Sequence, residues 1–76
     1  MNKDRRSRLS EIREQLSTLA EAIQDICAEE QEAFDNLPDS FQGRERGDAM
    51  QTAIDSMENA ASGVEDAIGE LQNVEG

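Results

Sequence analysis

The sequence carries two apolar stripes of heptad spacing with a single proline between them. The first stripe is Leu9, Ile12, Leu16, Leu19, Ile23 and Ile26, and the second is Met50, Ile54, Met57, Ala61, Val64, Ile68 and Leu71. Steps of three and four alternate in both. Each stripe therefore stays on one side of an α-helix and forms a seam that another helix must cover. Pro38 disfavours helical geometry at Leu37, so the first helix should stop there. The expected fold is all-α: an antiparallel, coiled-coil-like two-helix hairpin that makes a single domain of residues 1–76. The first helix is expected over about residues 4–36, the turn over 37–43 and the second helix over about 44–73.

A hairpin this small is expected not to stand alone. A chain of 76 residues buries only about 60% of the surface that its extended form exposes. Small scaffolds make up the difference with disulfides, a metal or oligomerisation. Cys27 is the one cysteine, so no internal disulfide can form, and the chain has no histidine. No cofactor is expected. Self-association into a homodimer or higher homo-oligomer remains, with two hairpins making a four-helix bundle. Ala53, Ala60 and Ala67 repeat every seven residues beside the second seam. They widen its apolar face, as suits a helix with more than one neighbour. The first seam thins after Ile26, where its next positions are Glu30 and Ala33.

Charge is placed as unevenly as apolarity. The net charge is −11. Residues 1–13 hold Lys3, Arg5, Arg6, Arg8 and Arg13 against Asp4 and Glu11. Residues 14–43 hold eight acids and no base, and residues 47–76 hold seven acids and no base. The first helix thus has bases at its N-terminal end and acids at its C-terminal end, opposite to what its dipole favours. An antiparallel second helix would bring Glu65, Asp66, Glu70 and Glu75 beside those arginines. The acids at the far end, Glu29, Glu30, Glu32 and Asp35, have only Arg44 and Arg46 to answer them. This balance argues against direct binding of nucleic acid, which needs clustered Lys and Arg, and against anionic membranes. It favours a protein partner with a basic surface. The lone thiol, the charged start and the lack of a long apolar run lead to a cytoplasmic expectation.

Candidate chemistry is sparse. Glu29 with Glu32, Glu32 with Asp35 and Glu11 with Glu14 are carboxylate pairs, but acid–base catalysis needs a desolvated cleft. Asp35, Asp39 and Glu45 do not meet the ligand spacing of a calcium loop, because Leu37 and Phe41 stand at ligand positions. Cys27 has acidic neighbours, the wrong setting for a thiolate. No catalytic or metal-binding residues are assigned, and no enzymatic activity is expected. Two binding candidates remain. Glu29, Glu32 and Asp35 form an acidic face for a basic partner. Ser40, Gln42, Arg44 and Arg46 surround a helix start, where arginines and free N–H groups can hold an anion.

The stretch from Glu29 to Gly47 includes Asn36-Leu37-Pro38-Asp39-Ser40-Phe41-Gln42-Gly43-Arg44-Glu45-Arg46-Gly47. It resembles the centre of short phage and prophage proteins, in which an acidic helix leads into a Leu-Pro-acid-Ser turn, then Glu-Arg-Gly and a second acidic helix. The resemblance covers residues 20–70, and its most specific part is Asn36 to Gly47. Gly43 stands where serine is usual. The resemblance implies origin in a mobile element, action in the host cytoplasm and inhibition or redirection of a host macromolecule, of the anti-defence or nucleic-acid-mimic kind. No functional residue carries over from it. Two other expectations compete: an oligomeric sponge for an anionic small molecule such as a nucleotide signal, and a structural accessory of a phage particle.

Overall fold

The computed structural model describes residues 1–75, with the side chains of Phe41, Gln42 and Glu75 outside that description. The chain is an all-α antiparallel hairpin. Helix α1 spans Lys3–Asp35, a single turn α2 spans Asp39–Gln42, and α3 spans Glu45–Glu75. The Cα trace measures 58 × 14 × 13 Å, which is two helices side by side.

Local chemistry sets the helix ends. The side chain of Asn2 accepts a hydrogen bond from the Arg5 N–H at 2.8 Å and caps α1. At the other end the Asn36 N–H donates to the Glu32 carbonyl at 3.0 Å and the Leu37 N–H to the Phe34 carbonyl at 3.1 Å. This tightened last turn uses up carbonyls that Pro38 cannot serve. The start of α3 differs from expectation. Its first helical hydrogen bond runs from the Asp48 N–H to the Arg44 carbonyl at 2.9 Å. Arg44 thus occupies the cap position, so the helix begins one residue later than the expected 44, and Asp48 lies inside the first turn. Glu45 and Asp48 place negative charge at that helix start, where the dipole favours it.

One hydrogen bond fixes the register. The Cys27 thiol lies 3.7 Å from the Ile54 carbonyl oxygen and donates to it. Counting away from that pair in opposite directions puts Ala20 level with Ala61, Arg13 with Ile68, and Phe34 with Gly47. Ala20, Cys27, Ile54 and Ala61 are the buried side chains of the core, and Gly47 is buried too. Gln24 bonds Glu65 across the pair at 2.8 Å. A second set of levels runs beside the first: Leu9 with Leu71, Leu16 with Val64, Ile23 with Met57, and Glu30 with Met50. Every member of that set is half-buried.

The second seam is where the sequence places it, because all seven of its residues are buried or half-buried. The first seam is not. On a helix of 100° per residue, Arg13 lies about 40° from Leu9 in one direction and Ile12 about 60° in the other. Helix α3 sits on the Arg13 side. Ile12, Leu19 and Ile26 are therefore left 44%, 57% and 56% exposed. Their expected place in the core of the hairpin is taken by Ala20 and Cys27. Ala53 is half-buried, while Ala60 and Ala67 are exposed. A two-helix packing has one interface, so a helix with a wide apolar face must leave part of it uncovered.

Gly69 is a test of helix propensity alone. A Cβ built there meets nothing within 4 Å, and glycine costs about 1 kcal/mol against alanine inside a helix. Gly69→Ala is expected to stabilise the fold by up to about 1 kcal/mol, read as a higher midpoint in thermal melts.

Candidate functional site

The acids belong to the outer surfaces of both helices. Among the described side chains, Glu30 is the one half-buried acid and every other Asp and Glu is exposed. Glu14, Glu21 and Asp35 run along the back of α1, and Asp48 and Asp55 lie seven apart on α3, with Glu58 and Glu65 beside them. The expected acidic trio is present and exposed, but it is not a compact patch. Glu29, Glu32 and Asp35 fan over about 120° of the helix surface at 100° per residue. Gln31 and Gln51 donate to Asp35 and Asp55 at 3.0 Å, each one turn along its own helix. At the basic end, Arg8 pairs with Asp4 at 3.1 Å within α1, and both side chains are exposed. The geometry is that of a rod with a charged skin, whose carboxylates are open to a docking partner.

The turn is less suited to an anion than the sequence suggests. Ser40, Arg44 and Arg46 are exposed, and the Gln42 side chain lies outside the described residues, as does that of Phe41. Leu37 is half-buried there. Glu45 and Asp48 already bring negative charge to the start of α3, so an incoming anion would meet two carboxylates beside the arginines.

Across the helix pair, a shallow groove is floored by Cys27, Met57 and Ala61 and edged by Gln24, Glu58 and Glu65. The small side chains of the core layer create it. Among the described residues no group of three or more His, Cys, Asp or Glu gathers to hold a metal ion. None of the described helices is long and apolar enough to cross a membrane.

What the sequence pattern leaves open is which helix covers each part of the first seam, since Ile12, Leu19 and Ile26 are exposed in the hairpin while Ala20 and Cys27 lie in its core. The clue was in the small residues. Ala20 and Cys27 lie seven apart on α1, and Ile54 and Ala61 lie seven apart on α3. Close helix approach uses such positions, and hydropathy alone ranks them below Ile and Leu. Compared with known protein families, characterised proteins and solved structures, the chain finds no match in any of the three.

Proposed function

We propose that the chain is a non-enzymatic binding protein. It presents the acid-rich outer surface of the hairpin to a basic surface on a partner macromolecule, which it inhibits or redirects. The observation that carries this reading is the base-free run of exposed carboxylates on both helices, Glu14, Glu21 and Asp35 on α1 and Asp55, Glu58 and Glu65 on α3. A surface of one sign raises the encounter rate with a partner of the opposite sign and rejects partners of its own. The phage-like turn from Asn36 to Gly47 agrees with a host protein as the partner and the host cytoplasm as the place. No comparable observation favours the anion sponge or the particle accessory.

The test is capture from a nuclease-treated bacterial lysate by the tagged chain and by a neutralised variant, Glu14→Gln, Glu21→Gln, Asp35→Asn, Asp55→Asn and Glu58→Gln. These residues are exposed, so the hairpin survives the change. The expected result is a basic protein in stoichiometric amount, released by moderate salt and lost with the variant. Equal capture by both chains, or no basic protein at all, would remove the charge-based reading.

A further inference from the structure

The hairpin has one closed edge and one open edge. On the closed edge lie the buried layers of Ala20 with Ala61 and Cys27 with Ile54. On the open edge lie the half-buried layers of Leu9, Leu16 and Ile23 with Leu71, Val64 and Met57. Beyond them stand Ile12, Leu19 and Ile26, the large exposed apolar residues of α1. They are spaced seven apart, with Arg5 and Ala33 continuing the same line at either end. The matching line on α3 is small over most of its length, Ala53, Ala60 and Ala67 interleaved with Ala49, Ser56 and Gly63, and ends at Glu70 and the exposed Val74. In an antiparallel pair that uses equivalent positions on both helices, these two lines border the same face.

We infer that this open face is the interface of a two-fold homodimer, in which α1 packs antiparallel on α1 of a second copy with the dyad at Leu19. Ile12 then meets Ile26 of the partner subunit, and Leu19 meets its own equivalent. Such an isologous contact must be self-complementary, and the charges of α1 meet that condition. Residues 3–13 carry five bases against two acids, and residues 29–35 carry four acids and no base. Antiparallel pairing lays each basic end along the partner's acidic end. It brings Arg5 and Arg8, which flank the stripe, to Glu29 and Glu32 of the partner subunit. Parallel pairing would set base on base and acid on acid. Within the α1 pair the like-charge approach is Glu11 near Asp25 of the partner subunit, on the exposed rim where screening is strong, whereas the charge match is made by α1 alone, because residues 47–76 carry seven acids and no base.

Area points the same way. The hairpin exposes 5519 Å², whereas a compact monomer of its mass, 8.4 kDa, exposes about 4,600 Å². The excess of about 900 Å² is the amount each partner gives to a standard-size interface, ~800 Å². The same register carries α3 to α3 of the partner near Gly63, where glycine and alanine admit close approach. All four neighbouring helices are then antiparallel, the arrangement that suits their dipoles. The dimer accounts for what the hairpin leaves unanswered: the bare stripe, and the acidic end of α1.

Sedimentation equilibrium of the full chain tests the dimer, and cysteine cross-linking tests its geometry. The expected mass is twice that of one chain of 8.4 kDa, and Leu19→Glu halves it while the helical signal persists. In a Cys27→Ala background, a Leu19→Cys chain should cross-link to itself. An Ile12→Cys chain should link to an Ile26→Cys chain and not to itself. These links should form roughly 10-fold or more faster than those of Glu21→Cys on the back of α1, because a matched interface raises effective concentration. A monomeric wild-type chain overturns the inference, as does a dimer untouched by Leu19→Glu. An Ile12→Cys chain that links to itself overturns the antiparallel geometry. Should Leu19→Glu lose its helical signal, the cross-linking pattern alone decides, and links at background rate count against the dimer.

Discussion

Ile54→Asp should abolish the helical circular dichroism of this chain. Ile54 is 1% exposed, the most deeply buried large side chain in the hairpin, and its carbonyl receives the Cys27 thiol. A carboxylate there would have no cation beside it: the level holds Cys27, and the half-buried residues nearest on α3 are Met50, Ala53 and Met57. An unpaired buried charge costs about 3–5 kcal/mol, and the core of so small a scaffold supplies no more than about 3–5 kcal/mol. The two magnitudes cancel, and unfolding follows. Ile54→Val removes one methyl group and should cost only about 0.5–1.5 kcal/mol. A denaturant melt of the two variants separates charge burial from loss of packing. Native helicity in the Ile54→Asp variant would mean that Ile54 does not lie at the helix interface.

The second large effect is expected at Ala20. Ala20 and Ala61 are both 4% exposed and share a level of the hairpin, where both side chains are a single methyl group. Leucine at position 20 adds three carbons to a side chain that is 4% exposed and faces α3. The helices must part or the side chain must leave its rotamer, at a cost of about 1–3 kcal/mol. Ala28 is exposed and serves as the control, because Ala28→Leu changes helix propensity little and should stay within about 0.5 kcal/mol. The predicted difference between the variants is a lower unfolding midpoint for Ala20→Leu. Equal midpoints would contradict the tight layer.

Much of this fold can be read directly from residue spacing. Met50 to Leu71 alternate in threes and fours and all turn inward, because α3 has one apolar stripe rich in large side chains and one neighbour to bury it. Pro38 ends α1 within three residues of where steric exclusion at Leu37 requires. Helix α1 is harder to read, since its large residues at 9, 12, 16, 19, 23 and 26 cover more of the circumference than one neighbour can shield. Which half faces α3 depends on how near the two backbones come. That distance is set by Ala20, Cys27 and Ala61, residues of low hydropathy whose value lies in their size. The start of α3 was ambiguous for a different reason. Gly43, Arg44 and Asp48 can each accept the first helical bond through backbone or side chain, and no local preference decides among them. The candidate site was legible in composition and exposure, since a base-free run of acids on a helix has nowhere to go but solvent. Its extent was not, because carboxylates six residues apart, as Glu29 and Asp35 are, share a helix without sharing a side.

The ladder of levels from Phe34 and Gly47 outward also has a kinetic meaning. The first layer closes a loop of 13 residues, and Cys27 with Ile54 closes one of 27. Ala20 with Ala61 then spans 41 residues, and Arg13 with Ile68 spans 55. Loop closure grows costlier with length, though slowly, and only the first closure is made from the open chain. Each later layer adds a short step to a hairpin already pinned. Folding should therefore begin at the turn and travel toward the termini, at the speed typical of chains with local contacts. Opening reverses the order. Amide protons on the turn side of Cys27 and Ile54 will exchange last, and those near Leu9 and Leu71 first. The molecule thus has a fixed end and a loose end, with five of its seven basic residues on the loose one.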